Sequence, residues 1–306
     1  MLNTAPEVSV ACAVIWRDGQ ILLSKRHAQS HQGGLWEFPG GKLESNESPE
    51  SCLRRELQEE LGIAVRDTLP ICQIPWDYGD KRVRLWVFEV LSFTGQPEGK
   101  EGQRLMWVAP DALGSHDFPK ANDPIIRAVG LPRLARFFDQ RMHQDAARWV
   151  SQTDVLSLLY FRGMPPSRAL EEAIQMALDI GHAVILTQDQ LPCYQPGCGM
   201  HVRKSDALES ALEALSELDQ PWPVTAGIRT MADWERQRDW PADAWFVSPI
   251  HATPTHPELA GLGLSGFSDL IANIGAPAYA LGGMTRDDLD RVHRAFGYGV
   301  AGIRGV

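Results

Sequence analysis

Glu56, Glu59 and Glu60 are spaced i, i+3 and i+4, so a helix through them carries three carboxylates along one face. Such groups repel one another unless a strong positive charge sits among them, and hard divalent cations prefer all-oxygen ligands of this kind. The spacing points to a metal-binding face; the alternative is an ordinary solvated face with an i,i+4 pair between Arg55 and Glu59. The glutamates belong to a longer register in which Gly41, Glu47, Arg55, Glu56, Leu57, Glu59, Glu60, Gly62 and Ile63 fall at G-x5-E-x7-R-E-U-x-E-E-x-G-U, where U is aliphatic. Ahead of the helix, Trp36-Glu37-Phe38-Pro39-Gly40-Gly41 ends a strand-like stretch in a proline and two glycines. These let backbone approach a ligand and offer the Gly40 carbonyl as a further oxygen donor. Ser48 as N-cap, Pro49 in the first turn and Gly62 at the stop bound the helix.

Elements that would position these groups show in the apolar pattern. Runs at 8–16 and 20–24, joined by Arg17-Asp18-Gly19, predict a hairpin, 83–91 and 105–109 add strands, and 122–129 a short helix. Together they predict a mixed sheet with the glutamate helix packed on it. Past Gly130-Leu131-Pro132 the pattern changes. Strand-like runs at 133–138, 155–161, 183–187, 199–202, 223–227, 244–250, 277–281 and 299–303 alternate with helical stretches at 167–180, 206–218, 231–238, 265–273 and 285–296. This alternation predicts a parallel sheet, and eight repeats predict a (β/α)8 barrel. Residues 131–306 are few for such a barrel and the sequence stops after the last strand, which leaves an incomplete barrel as the alternative. The fold class is α/β, with two domains at 1–129 and 131–306, as 306 residues would suggest.

A formal net charge of -10 argues against a surface for duplex nucleic acid, while a small nucleotide chelated to metal stays compatible. The apolar run at 9–16 is too short to span a bilayer and no targeting signal precedes it, so a cytoplasmic protein without membrane contact is expected. Five cysteines without regular spacing predict reduced thiols. Cys193 and Cys198 with His201 lack a convincing fourth ligand for zinc, so ordinary thiols are expected there too.

The register from Gly41 to Ile63 and its surroundings resemble the Nudix hydrolases, specifically the MutT-type 8-oxo-dGTP diphosphatases, across residues 8–129. The resemblance implies an α/β/α sandwich and attack of water on the β-phosphorus of a nucleoside triphosphate, releasing monophosphate and pyrophosphate. It implies a Mg²⁺ site, with Mn²⁺ as a substitute, made by the Gly40 carbonyl, Glu56, Glu59, Glu60 and Glu101, the last within Gly99-Lys100-Glu101-Gly102-Gln103. Glu101 or Glu59 would be the general base, and Glu47 with Arg55 would orient the helix groups. Arg26, Phe38 and Asn122 occupy the places of oxidised-guanine contacts, and an Asn offers donor and acceptor together to a purine edge. Taken singly, Phe38 reads as core, Asn122 as a helix cap and Arg26 as a surface charge; together and in register they point to a guanine pocket. Lys81 or Arg82 would meet the nucleotide phosphates.

Residues 131–306 resemble the thiamine phosphate synthase and thiazole tautomerase group of barrels. The resemblance rests on Tyr160-Phe161-Arg162-Gly163, the segment from Gly199 to Asp206, Phe246-Val247-Ser248-Pro249-Ile250, Thr253-Pro254-Thr255-His256-Pro257 and Ala280-Leu281-Gly282-Gly283-Met284. Gly282-Gly283 between a strand and a helix is a ready phosphate cradle, which the turn from Gly302 to Gly305 would complete. Arg162, His201 and Asp206 are further candidates. The sequence departs from the group at Gln188-Asp189, where an Asn-Asp pair is expected, and at Thr255-His256, where Thr-Lys is expected. Losing a lysine that would hold pyrophosphate argues against full synthase activity. A phosphate-binding, regulatory or tautomerase-like role with a phosphorylated thiazole or pyrimidine ligand is expected instead. The whole chain then predicts a Mg²⁺-dependent pyrophosphohydrolase that clears 8-oxo-dGTP from the precursor pool. The alternatives are hydrolysis of thiamine-related pyrophosphates, a second enzymatic activity in the barrel, and a barrel that senses a ligand.

Overall fold

The computed structural model describes residues 7–29, 32–203, 206, 208–252 and 260–306. The chain divides into two compact units, one running to Gly130 and one starting at Leu131, with Ile271–Ala276 grouped with the first.

The first unit contains β1 (Glu7–Arg17), β2 (Gln20–Lys25), β3 (Trp36–Glu37), β4 (Gly40–Lys42), α1 (Pro49–Leu61), β5 (Ala64–Asp77), β6 (Arg82–Thr94), β7 (Leu105–Val108) and α2 (Asp123–Ala128). Its mixed sheet runs β3-β2-β1-β6-β5, with β4 added on β1 and β7 on β2. β1 and β6 are parallel and the other pairs antiparallel. The central place of β1 follows from Ala11 to Ile15, a continuous buried run that suits a strand covered on both faces. The predicted hairpin is a two-residue turn, with Arg17 opposite Gln20 and positive φ at Asp18 (51°) and Gly19 (74°).

β5 has no counterpart among the sequence-predicted strands. It contains Pro70 and Pro75, and its register shifts between Val65 and Asp67, Asp67 and Thr68, and Pro70 and Cys72, which erases the two-residue period. Because β5 pairs only with β6 at the end of the sheet, its prolines need give up no ladder bond on the outer side. α1 matches its predicted bounds. The Ser48 hydroxyl accepts from the Ser51 N–H at 3.2 Å, and Gly62 at φ 70° closes the helix with its N–H on the Gln58 carbonyl. Buried Cys52, Leu53, Leu57 and Leu61 pack α1 against β1, β4 and β5.

The second unit is a closed parallel barrel of eight strands: β8 (Leu134–Asp139), β9 (Leu158–Arg162), β10 (Ala183–Leu186), β11 (Cys198–Val202), β12 (Val224–Ile228), β13 (Ala244–Val247), β14 (Ala278–Leu281) and β15 (Gly299–Gly302). Pairing of β15 with β8, Val300 opposite Leu134, closes the ring and overturns the incomplete-barrel alternative. Closure needs only hydrogen-bonded neighbours, so a short chain without a helix after β15 suffices. Outside lie α3 (Ala146–Ser151), α4 (Arg168–Ile180), α5 (Leu208–Ser216), α6 (Met231–Gln237), α7 (Gly263–Ile271) and α8 (Leu289–Arg294), while a 3-10 turn at Gln188–Cys193 stands between β10 and β11. Alternation along the strands sends Phe137, Tyr160, His201, Phe246 and Tyr279 inward, where their rings meet at 5.2–5.6 Å. Val184, Leu186 and Cys198 face outward onto Leu170, Ala173, Ile174 and Ala177 of α4. Among the described residues no helix is long and apolar enough to cross a membrane.

Candidate active site

Arg55 organises the exposed face of α1. It donates through Nε and Nη2 to both carboxylate oxygens of Glu47 at 2.9 Å, and its Nη1 lies 3.0 Å from Glu56 and 3.1 Å from Glu59. Nη2 also reaches the Lys42 carbonyl at 3.1 Å, tying the helix to β4. The two bonds from Arg55, joined by the Glu44 N–H, hold the Glu47 carboxyl down at about 2. Glu56 lies flat on Gly41, where a Cβ would stand 2.0 Å from its Cδ. The glycine opening the register is therefore a close-approach position.

Glu60 turns the other way. Burial, followed by the charges of Glu56, Glu101, Glu37 and Glu59, pushes its carboxyl up to about 8. Glu101 is brought beside it by a loop that caps the helix end. The Glu60 carbonyl accepts from Lys100 N–H at 2.9 Å and Gln103 Nε2 at 3.0 Å, the Leu61 carbonyl accepts from Glu98 N–H, and Gln103 Oε1 accepts from Glu101 N–H. Among the described residues no three acidic, His or Cys side chains converge as a ready-made cluster, because Arg55 draws Glu56 and Glu59 to one side. The donor set nevertheless fits a hard divalent cation: the groups are oxygens, Gly41 leaves room for Glu56, and Glu60 is part-buried among the charges of Glu56, Glu101, Glu37 and Glu59.

Glu60, Glu101, Gly40 and Gly41 form part of the lining of a cleft of about 280 Å³. Arg26, Phe38, Lys81 and Asn122 line the same cleft, so the structure brings the base and phosphate candidates together with Glu60 and Glu101. Glu47, Arg55, Glu56 and Glu59 stay outside the lining, Glu59 with 57% of its side chain exposed. Phe38 is 3% exposed and stacks on Phe118 with ring centres 5.6 Å apart, so it serves core and cleft at once. Asn122 opens α2 but its side chain makes no capping bond, which removes the cap explanation. Burial, with Lys42 and Arg26 nearby, lowers the Lys81 ammonium, the mark of a cation set among cations. Arg82 is absent from the lining.

Glu37 and Tyr78 also line the cleft, and neither was assigned from sequence. Glu37 pairs with Arg26, and burial raises its carboxyl despite that partner. An acid between Trp36 and Phe38 was its one signal. Tyr78 follows the unpredicted β5, so nothing local marked it.

In the second unit, Arg162, His201, Gly282 and Gly283 line a cavity of about 680 Å³ at the C-terminal ends of the strands. Gly282 and Gly283 take φ of 103° and 70°, which other residues adopt rarely. His201 Nδ1 lies 3.0 Å from Thr225 Oγ1, and burial brings the ring down to about 4. Asp206 is held by Arg203 outside the cavity lining, and Gly305 also lies outside it. Cys193 and Cys198 pack in the outer layer with α4 while His201 points inward, so these three do not form a metal site. All five cysteines are buried free thiols. Thr253-Pro254-Thr255-His256-Pro257, with Lys204 and Ser205, lie outside the described residues.

Comparison with known proteins gives two separate family matches. Residues 10–128 match the family model described as NUDIX domain, and residues 196–306 match that of thiamine monophosphate synthase. The 8-oxo-dGTP diphosphatase of Escherichia coli K12 is 36% identical over 121 residues, 39% of this chain and 94% of that protein. The CTP pyrophosphohydrolase of the same organism is 38% identical over 129 residues, 42% and 96% of the two chains. A solved structure from work on MutT of Aliivibrio salmonicida and Vibrio cholerae is 36% identical, covering 40% of this chain and 94% of that one, with a TM-score of 0.36. The chain belongs to the Nudix hydrolases, enzymes that cleave phosphoanhydride bonds. More narrowly, its first unit is of the MutT, 8-oxo-dGTP diphosphatase type, and its second is a thiamine phosphate synthase-like barrel.

Proposed function

We propose that the first unit hydrolyses 8-oxo-dGTP to 8-oxo-dGMP and pyrophosphate in the presence of Mg²⁺ or Mn²⁺, removing an oxidised precursor from the cytoplasmic nucleotide pool. One observation carries this: the carboxylates Glu60 and Glu101 line the same cleft as Arg26, Phe38, Lys81 and Asn122. Glu56, Glu59, Glu60, Glu101 and the Gly40 carbonyl are the donors for the cation. When bound, such a cation neutralises the triphosphate and lowers the pKa of coordinated water.

The remaining work falls to the chain itself. Glu101 is the favoured general base, since it lines the cleft while Glu59 is exposed and engaged by Arg55. It takes the proton of the water that attacks the β-phosphorus, as the bond from that phosphorus to the oxygen bridging it to the α-phosphorus breaks. Arg55 and Glu47 hold the glutamate helix against β4. Lys81 meets phosphate charge, Phe38 offers a ring backed by Phe118, and the Asn122 amide pairs with the purine edge. A cytidine triphosphate is the second candidate, because the relative named CTP pyrophosphohydrolase is as similar to this chain as the diphosphatase.

Turnover of 8-oxo-dGTP, dGTP, CTP and thiamine diphosphate, with Mg²⁺ and with EDTA, tests the proposal. 8-oxo-dGTP should lead by at least tenfold and only with the cation. Glu56→Gln and Glu59→Gln should each lower turnover by orders of magnitude with the fold intact. Failure to cleave any of the four, or full activity in both variants, would defeat it.

A further inference from the structure

The barrel mouth carries an excess of positive charge that hydrolysis in the first unit does not use. Among the described residues, Arg141, Arg162, Arg203, Arg229 and Arg304 line one cavity with a single acid, Asp139. That acid is already engaged, its Oδ1 accepting the Arg141 N–H at 2.9 Å. No ion pair engages the guanidinium groups of Arg141, Arg162 and Arg229 among the described residues, although all three are exposed at the cavity. Several like charges sharing one concave site are relieved by an anion with several oxygens, and guanidinium forks suit phosphoryl groups.

Arg203 behaves differently. Its Nη1 stands 3.1 Å from Asp189 Oδ1 and its Nε 3.4 Å from Asp206 Oδ1, while its backbone N–H donates to Asp206 Oδ2 at 2.8 Å. Asp206 is only 7% exposed, whereas Arg203 at 41% and Asp189 at 57% stay open to solvent. Asp189 follows β10 and Asp206 follows β11, on the rim where ligands of such barrels bind. With the guanidinium between them, the two carboxylates cannot close together on one hard cation unless Arg203 is displaced.

We infer that the barrel mouth binds a phosphoryl-bearing ligand without any divalent cation, Arg203 acting as the fixed positive charge between Asp189 and Asp206. Its requirement is therefore opposite to that of the first unit, and it stands whether or not the hydrolase proposal does.

The test is calorimetric titration of the full chain with inorganic pyrophosphate, in EDTA and then in Mg²⁺, in a Glu56→Gln, Glu60→Gln background that mutes the first unit's cleft. Binding should be present in EDTA and change less than threefold on adding Mg²⁺. Arg162→Ala and Arg229→Ala, at exposed positions, should each weaken it at least tenfold. Arg203→Ala should weaken it in EDTA and create a Mg²⁺ dependence by uncovering the two aspartates, whereas Arg203→Lys should keep cation-free binding. No binding in EDTA, a tenfold or greater gain from Mg²⁺ in the parent chain, or unchanged affinity in Arg162→Ala and Arg229→Ala would overturn the inference. Unfolding midpoints of each variant, read alongside, separate lost binding from lost fold.

Discussion

Replacing Gly41 by alanine puts one methyl group where the Glu56 carboxyl rests on the backbone. The new Cβ would lie 2.0 Å from Cδ and 2.3 Å from each oxygen, while ordinary contact begins near 3.4 Å, so the carboxyl must retreat by about 1.4 Å. Gly41 does not need a left-handed φ, and what blocks the methyl is the far end of a flexible side chain. The fold should therefore yield cheaply, by about 1 kcal/mol or less. Catalysis should not, since a displacement of about 1 Å in a positioned group costs on the order of 10²-fold. The assay is kcat/KM for 8-oxo-dGTP across a Mg²⁺ titration, paired with thermal unfolding. A fall of about 10²-fold, a higher Mg²⁺ requirement and a small Tm change are expected. Gly40→Ala supplies the contrast: its Cβ would strike the Ala11 carbonyl oxygen at 2.0 Å and the Cys12 Cα at 2.7 Å, at a φ of 150°. Backbone cannot swing aside, so that variant should lose roughly 2–4 kcal/mol. Wild-type kinetics in Gly41→Ala, or a stability loss equal to that of Gly40→Ala, would refute the idea that Gly41 exists to seat Glu56.

Glu60→Gln removes a carboxylate that burial first and neighbouring charges second disfavour, so in EDTA it should unfold later than wild type, by on the order of 1–3 kcal/mol, while turnover falls; equal midpoints in urea would count against that cost. His201 is held near 4 by burial against an ordinary value of 6.5. An unfolded chain then binds the extra proton, so this contribution is whole above about pH 6.5 and is lost towards pH 4, by up to about 3 kcal/mol. His201→Gln should lack that loss when unfolding midpoints are compared across the same pH range. Asn122→Ala should cut the preference for 8-oxo-dGTP over dGTP by roughly 1–3 kcal/mol of discrimination, read as a ratio of kcat/KM values, with a smaller effect on dGTP itself.

Local signals account for most of what was legible beforehand. Ser48, Pro49 and Gly62 bound α1 within one stretch of chain, and the barrel strands announce themselves as short apolar runs buried on both sides. What escaped depends on distant partners. β5 hid behind Pro70, Pro75 and its register shifts. Glu37 gains its place from Arg26 across the β2–β3 pair, and Arg203 gains its clasp from Asp189 on a separate loop. Ring closure, by contrast, was expected from the eight repeats, and the pairing of β15 with β8 at the two ends of the second unit makes it. The i, i+3, i+4 spacing foresaw a shared helix face but not its division, with Glu56 and Glu59 drawn to Arg55 and Glu60 turned towards Glu101 by the loop at 98–103.

The two prolines of β5 bear on how the molecule behaves in a crowded solution. An incoming strand seeking to lengthen the first unit's sheet would find no amide hydrogen at Pro70 or Pro75, and at the opposite border β3 offers only two residues of template. Strand addition is thus discouraged at the β5 margin, and the same imino acids that concealed a strand from inspection blunt that border as a template.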